Sequence, residues 1–161
     1  MEQLMLFKPA YKYIIDTSSV FAQKDTDSLP RKVHKTLWET IDSYIKEQII
    51  VTCSEIEEEV EKDNTVNLWL NSNQCVILPI DDGVQHNVRK IVNENPKMIE
   101  FSGSGSSSGD AFLIATAMKF GLTVITEENK DKPTKIPKIC AAYGIRAINI
   151  TELCIEEGWE F

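Results

Sequence analysis

No Cys-x-x-C pair occurs among the four cysteines, Cys53, Cys75, Cys140 and Cys154, and the two histidines, His34 and His86, stand far from all of them. That spacing argues against a zinc site. Each cysteine sits in an apolar context, as in "IIVTCS" and "NQCVIL", which reads as a small buried thiol in a reduced protein. Basic residues are also in short supply. Seventeen Lys and Arg face 25 Asp and Glu, leaving a net charge of −8. This argues against a broad cationic platform for nonspecific nucleic-acid binding. It leaves room for a nuclease, whose site is a cluster of carboxylates around a cation. No apolar run approaches the roughly 18 residues of a membrane span, and "MEQLMLFKPAYKYIID" lacks a charged-then-apolar signal pattern. The expectation is a soluble, cytoplasmic protein with no membrane partner. Repeats and an interdomain linker are absent too. With 42% hydrophobic and 26% charged residues, the chain has material for a core, which excludes extensive disorder and a disulfide-stapled scaffold. Residues 1–161 are expected to form one domain.

What is present alternates between short β-branched runs and longer helical periods. "YKYII" reads as a first strand ending at Asp16. Val33, Leu37, Ile41, Tyr44 and Ile45 recur at three- and four-residue spacing and mark a helix face. "IIVT", 49–52, is a second strand. Ser54 and Glu57 then have the spacing of a capping box that opens a helix. "CVILPI" supplies a third strand, followed by a helix with Val84, Val88, Ile91 and Val92 on its apolar face. The only low-complexity stretch, "SGSGSSSGD", directly precedes the helical "AFLIATAMKF". The glycines and serines of 95–109 bury little and lose much entropy on ordering, so this segment is expected to be mobile. "LTVIT" is a fourth strand. Pro137 suits the first turn of a short helix, and Gly144 ends it. "RAINI" is a fifth strand, and Thr151 is expected to open a closing helix. Five strands separated by helices predict an α/β fold, a parallel five-stranded sheet with helices on both faces.

In such sheets, sites form beyond the carboxyl ends of the strands where strand order reverses. Strand one ends in Asp16. Strand two runs into Glu55, Glu57, Glu58 and Glu59, strand four into Glu127 and Glu128, and Asp110 opens the helix that leads to strand four. Carboxylates therefore converge on one edge from four parts of the chain. Like charges so placed repel unless a cation neutralises them, and Mg²⁺ or Mn²⁺ takes oxygen ligands. Taken singly, Asp16 or Asp110 would serve as a turn or helix cap, and the glutamates would solvate a surface. The serine-glycine loop lacks the Gly-Lys-Ser/Thr ending of a nucleotide P-loop.

"YIIDTSSVF", "CSEIEEEV", "SGDAFLIATAMKFGLTVITEE" and "KIPKICAAYGIRAINITEL" together resemble the PIN-domain superfamily. They are most similar to a prokaryotic branch of unassigned function, with the motifs in order from about Tyr13 to Gly158. The resemblance implies a parallel five-stranded sheet and a Mg²⁺- or Mn²⁺-dependent ribonuclease, many relatives being toxins of toxin–antitoxin pairs. It maps the four acids onto Asp16, Glu58 or Glu59, Asp110, and Glu128 with Glu127 as rival. All six are candidate metal ligands, with Asp16, Glu59, Asp110 and Glu128 as candidate catalytic residues. Thr17, Ser18, Ser108 and Thr126 are candidate substrate contacts. The fourth acid is Glu where the superfamily usually has Asp, which moves the carboxylate by one methylene.

The implied reaction is metal-assisted phosphodiester hydrolysis. RNA is the implied substrate, and a small antitoxin and a second copy of the chain are the implied protein partners. Lys12, Lys130, Lys132 and Lys135 are candidates for a local basic patch. The alternative is a catalytically weak PIN-like module that binds RNA or a protein partner. A phosphoacceptor receiver would need paired acids ending strand one and a Lys after strand five. "IIDTSS" and "INITEL" supply neither. A phosphatase of the Asp-x-Asp kind lacks its second Asp.

Overall fold

A computed structural model describes residues 11–97 and 108–161, with only the backbone at Ser108. The strands are β1 Tyr13–Ile15, β2 Ile50–Cys53, β3 Ile77–Leu78, β4 Thr123–Ile125 and β5 Ala147–Ile148. They lie in the order β3-β2-β1-β4-β5, and every neighbouring pair is parallel. Every residue of β1 and β2 is buried. This explains why the strands read as unbroken apolar runs, since both sheet faces are covered. The three-layer α/β architecture expected from the sequence is the one formed. Most of the 95–109 segment, residues 98–107, lies outside the described residues. No helix among the described residues is long and apolar enough to cross a membrane.

The helices are α1 Thr17–Phe21, α2 Lys35–Lys46, α3 Ser54–Val60, α4 Asn64–Ser72, α5 Asp82–Glu94, α6 Ser108–Phe120, α7 Ile136–Ala142 and α8 Ile150–Glu157. On α2, Leu37, Ile41 and Ile45 are buried as their spacing requires, with Trp38 beside them, but Val33 precedes the helix and is 68% exposed. The capping box at Ser54 does not form. β2 pairs with β3 through Cys53 and the helix starts at Ser54, so strand and helix abut and Ser54 has no capping position. The closing helix starts one residue before Thr151. Its cap is Asn149, whose side chain accepts from Glu152 N at 2.8 Å while Glu152 returns a bond to Asn149 N at 3.0 Å. Pro137 lies in the first turn of α7, and Gly144, at φ 70°, closes the segment in the left-handed conformation that favours glycine.

Two helices were not expected. Short α1 follows Asp16 directly. α4 carries Asn64, Asn67 and Asn71, residues that favour caps and turns over helix interiors. Its signals are the Asp63 cap, which accepts from Thr65 N and Val66 N, and buried Val66 and Leu70 at i,i+4. Tertiary contacts hold it: Trp69 Nε1 donates to Asp42 Oδ1 at 2.6 Å, and Arg31 grips Asp42 with both Nη atoms at 3.0 Å. The Arg31 guanidinium lies over the rings of Trp38 and Trp69 at 5.6 and 5.4 Å.

Another cluster fastens α8 to the amino end of β1. Glu157 accepts from Lys12 Nζ at 2.6 Å and Tyr44 OH at 2.7 Å, and also from Tyr13 OH. Burial disfavours the Glu157 carboxylate, but those donors outweigh it and hold the carboxyl down from 4.5 to about 2. A depressed carboxyl gives stability that is present above its unfolded value and lost as pH falls toward its folded value. Glu157→Gln is therefore expected to lower stability at neutral pH by about 2 kcal/mol and to flatten the loss of stability between pH 4.5 and about 2. Urea unfolding of both proteins across that range tests this, and parallel curves would remove Glu157 from the account.

Candidate active site at the carboxyl ends of the central strands

The pairing of β1 with β4 builds the site. Register sets Ile15 opposite Ile125, and Asp16 N donates to Ile125 O at 2.9 Å. Asp16 and Thr126 therefore leave adjacent strands side by side, at the point where strand order reverses. Asp16 is 2% exposed. Its Oδ2 accepts from Ser18 Oγ at 2.7 Å and Thr126 Oγ1 at 2.9 Å. Those hydroxyls in turn accept from Glu127 N at 3.0 Å and Glu128 N at 3.2 Å, which ties the chain leaving β4 to the carboxylate leaving β1. Burial pushes the Asp16 carboxyl above its ordinary value, against the pull of the Ser18 and Thr126 hydroxyls.

From α3, Glu59 enters the same region. Ile56 and Val60 are buried and turn this face inward, so Glu59 is half-buried while Glu58, about 100° further round the helix, is exposed. Glu59 Oε2 accepts from Thr17 Oγ1 at 2.6 Å. Burial raises the Glu59 carboxyl and the negative charge of Asp16 raises it further, with Thr17 and Lys62 opposing.

After β4 the two glutamates diverge. Glu128 Oε1 accepts from Ile136 N at 3.1 Å, at the start of α7. Burial raises its carboxyl, and both Asp16 and Glu59 add to that rise while Lys135 opposes it. Glu127 turns to the start of α8, where Ile150 N donates to it near Glu152 and Lys130, and its carboxyl is raised mainly by burial. Asp110 is half-buried in the first turn of α6. It directly follows Gly109, against which the Glu59 carboxylate rests. Ser108 is the first residue of α6.

Asp16, Glu59 and Glu128 are thus mutually repelling acids, with Asp110 next to the residue that Glu59 touches. Glu58 and Glu127 point elsewhere. Thr17, Ser18 and Thr126 direct their hydroxyls at these carboxylates. Gly109 carries no signal in the sequence beyond its place in the low-complexity stretch. Among the described residues no group of three or more His, Cys, Asp or Glu side chains is already gathered to hold a metal ion. The donor chemistry nonetheless fits a hard divalent cation, because it is all oxygen and acidic, with Lys62 and Lys135 offsetting part of the charge at Glu59 and Glu128. Cys140 does not alter that character. Burial, with Asp16 and Glu128 adding, pushes its thiol up to about 12, so it stays protonated and is a poor metal ligand.

Around the site, Lys12 pairs with Glu157 and Lys130 with Glu152, which neutralises half of the expected basic patch. Lys135 faces Glu128, and Lys132 is exposed. A groove of about 750 Å³ opens between the chain following α1 and α4, past Lys24, Arg31, Asp63, Leu68 and Trp69. None of the site acids lines it.

Solved structures share this architecture. PAE2754 from Pyrobaculum aerophilum aligns over 93% of this chain and 98% of its own, with a TM-score of 0.56 at 14% identity. FitAcB from Neisseria gonorrhoeae aligns over 86% and 98%, with a TM-score of 0.51 at 18% identity. FitAB bound to an IR36 DNA fragment aligns over 86% and 94%, with a TM-score of 0.50 at 17% identity. At such identities the likeness shows the fold, and the fold is PIN-like. A family described as a domain of unknown function, DUF4411, matches residues 13–161, and the chain belongs to that family. No curated protein matches the chain.

Proposed function

We propose that the chain is a Mg²⁺- or Mn²⁺-dependent ribonuclease of the PIN type. The observation that carries this reading is the buried Asp16 carboxylate at the β1–β4 switch point, with Glu59 and Glu128 near enough for its negative charge to raise both. Asp16, Glu59, Asp110 and Glu128 would hold the metal. Held there, a divalent cation would supply Lewis-acid charge for a phosphate oxygen and lower the pKa of a bound water. Ser18 and Thr126 fix the Asp16 oxygen, Thr17 orients Glu59, and the Ile136 amide orients Glu128. Lys62, Lys132 and Lys135 offer the nearby positive charge through which a chain of net charge −8 meets RNA. Because many PIN-like ribonucleases are toxins, we extend the proposal to a cytoplasmic toxin restrained by a small antitoxin and able to pair with a second copy of itself.

A specific observation favours the second reading, a PIN-like module that binds RNA or a protein without cutting. The carboxylates are already engaged by protein donors, and no three acids among the described residues stand at metal-binding spacing. Cleavage of RNA by rigorously purified protein, with Mn²⁺ or with chelator, separates the readings. Glu59→Gln and Glu128→Gln are expected to lower the Mn²⁺-dependent rate by about tenfold to a hundredfold. Glu58→Gln and Glu127→Gln are expected to leave it unchanged. RNA bound but not cut supports the binding module. Cleavage that survives chelator, or is equal in all four variants, marks a contaminating ribonuclease.

A further inference from the structure

We infer that Gly109, one residue before Asp110 in the chain, is a positioning residue, whose missing side chain leaves the space in which the Glu59 carboxylate sits. The inference rests on the proposed metal-binding role of Glu59, but its structural half stands apart from it. Gly109 is the second residue of α6, Ser108–Phe120, and glycine is a poor choice inside a helix, where alanine orders at lower entropic cost. Its backbone does not call for glycine. Among the described residues the glycines at positive φ are Gly121, Gly144 and Gly158, and a Cβ on any of them would meet nothing within 4 Å.

At Gly109 a Cβ would overlap Glu59 Oε1 and stand 3.0 Å from Glu59 Cδ, and its three nearest neighbours all belong to that one side chain. The other carboxylate oxygen, Oε2, accepts from Thr17 Oγ1 at 2.6 Å. Glu59 is therefore held between a hydroxyl on α1 and bare backbone on α6. This brings α3, α1 and α6 to one carboxylate, one residue from Asp110.

An alanine at 109 would move the far end of a flexible side chain and leave the surrounding backbone in place. The fold should absorb it, and α6 should gain a better helix former. Glu59 should leave its place. Stability and site geometry then respond in opposite directions, which separates positioning from ordinary packing.

The test compares the parent, Gly109→Ala, Glu59→Ala and the double variant. In chelator, Gly109→Ala is expected to melt no lower than the parent, while the carbon-13 signal of the Glu59 carboxyl shifts toward that of an exposed glutamate. Calorimetric titration with Mn²⁺ is expected to show affinity weakened about tenfold or more. In the Glu59→Ala background, Gly109→Ala should change Mn²⁺ affinity no further, because the two act through one contact. Thr17→Ser should hold Glu59 as the parent does, and Thr17→Val should release it. An unmoved Glu59 signal overturns the inference, as does an equal further loss of Mn²⁺ affinity in the Glu59→Ala background. If Gly109→Ala fails to fold, the double variant should fold, and its failure to do so also overturns the inference. A parent that binds no Mn²⁺ defeats the metal-dependent reading, and the Glu59 signal then decides Gly109 by itself.

Discussion

Asp16→Asn is expected to lower RNA cleavage on the order of 10³-fold or more, the scale of losing a group the reaction cannot do without. The metal-free protein should meanwhile remain at least as stable as the parent. Asparagine keeps the shape of the side chain and an oxygen that accepts from Ser18 and Thr126, and it removes a charge from a site that is 2% exposed. Burial raises the Asp16 carboxyl in the folded state. A raised carboxyl contributes stability that is fully present below its unfolded value, 3.8 for this residue, and lost as pH rises through its folded value. At neutral pH the burial of Asp16 thus weighs against folding. Glu59 and Glu128, also raised, act with the same sign above their ordinary 4.5. Chelated parent protein is therefore expected to lose stability from these groups as pH rises from that range toward neutral, and Asp16→Asn should show a shallower decline. Thermal melts in chelator across pH 4.5–8 check this. A variant that melts far below the parent would make Asp16 a structural anchor of α1.

Metal ions should reverse the self-repulsion of the site. Binding to the native state alone stabilises by RT ln(1 + [L]/Kd), about 2.7 kcal/mol at a hundredfold excess over Kd. For a chain of 161 residues that is a rise in Tm of roughly 5–10 °C. Asp110→Asn is expected to lose most of this shift along with RNA cleavage, while melting close to the parent in chelator. Asp110 is in the first turn of α6, where a negative charge is favoured by the helix dipole. Asparagine keeps the shape of that side chain and much of its helix-capping ability, so the substitution should be close to neutral without metal. Melts of both proteins in chelator and along a Mn²⁺ titration decide the matter. Strong destabilisation in chelator would make Asp110 a structural residue of the helix start. A full metal response in the variant would exclude it as a ligand.

The α/β alternation, the parallel sheet and the placing of Asp16 at a strand end could be read directly from the chain. Each depends on short-range periodicity or on unbroken apolar runs, which burial on both sheet faces imposes locally. Pro137 in the first turn of α7 and Gly144 beyond its end were legible for the same reason, since both act through their own backbone preferences. Helix starts were less so. Ser54 lost its capping position because β2 pairs with β3 through Cys53, and Asn149, not Thr151, caps α8. α4 is hidden by its asparagines and held by Asp42 and Arg31 from far along the chain.

Within the site, the sequence by itself determined that acids would follow β1, β2 and β4 and head α6. It left Glu58 beside Glu59 and Glu127 beside Glu128 as equals, because adjacent residues share composition and spacing. Only the tertiary structure decided which of each pair turns inward. On α3 a step of one residue is about 100° of rotation, and burial of Ile56 and Val60 fixes which carboxylate meets Thr17. After β4 the register Ile15 to Ile125 sets Thr126 against Asp16, and the loop then sends Glu128 to α7 and Glu127 to α8. The Thr17–Glu59 and Thr126–Asp16 contacts behind those choices join residues 42 and 110 apart in the chain, a distance over which local pattern carries no information.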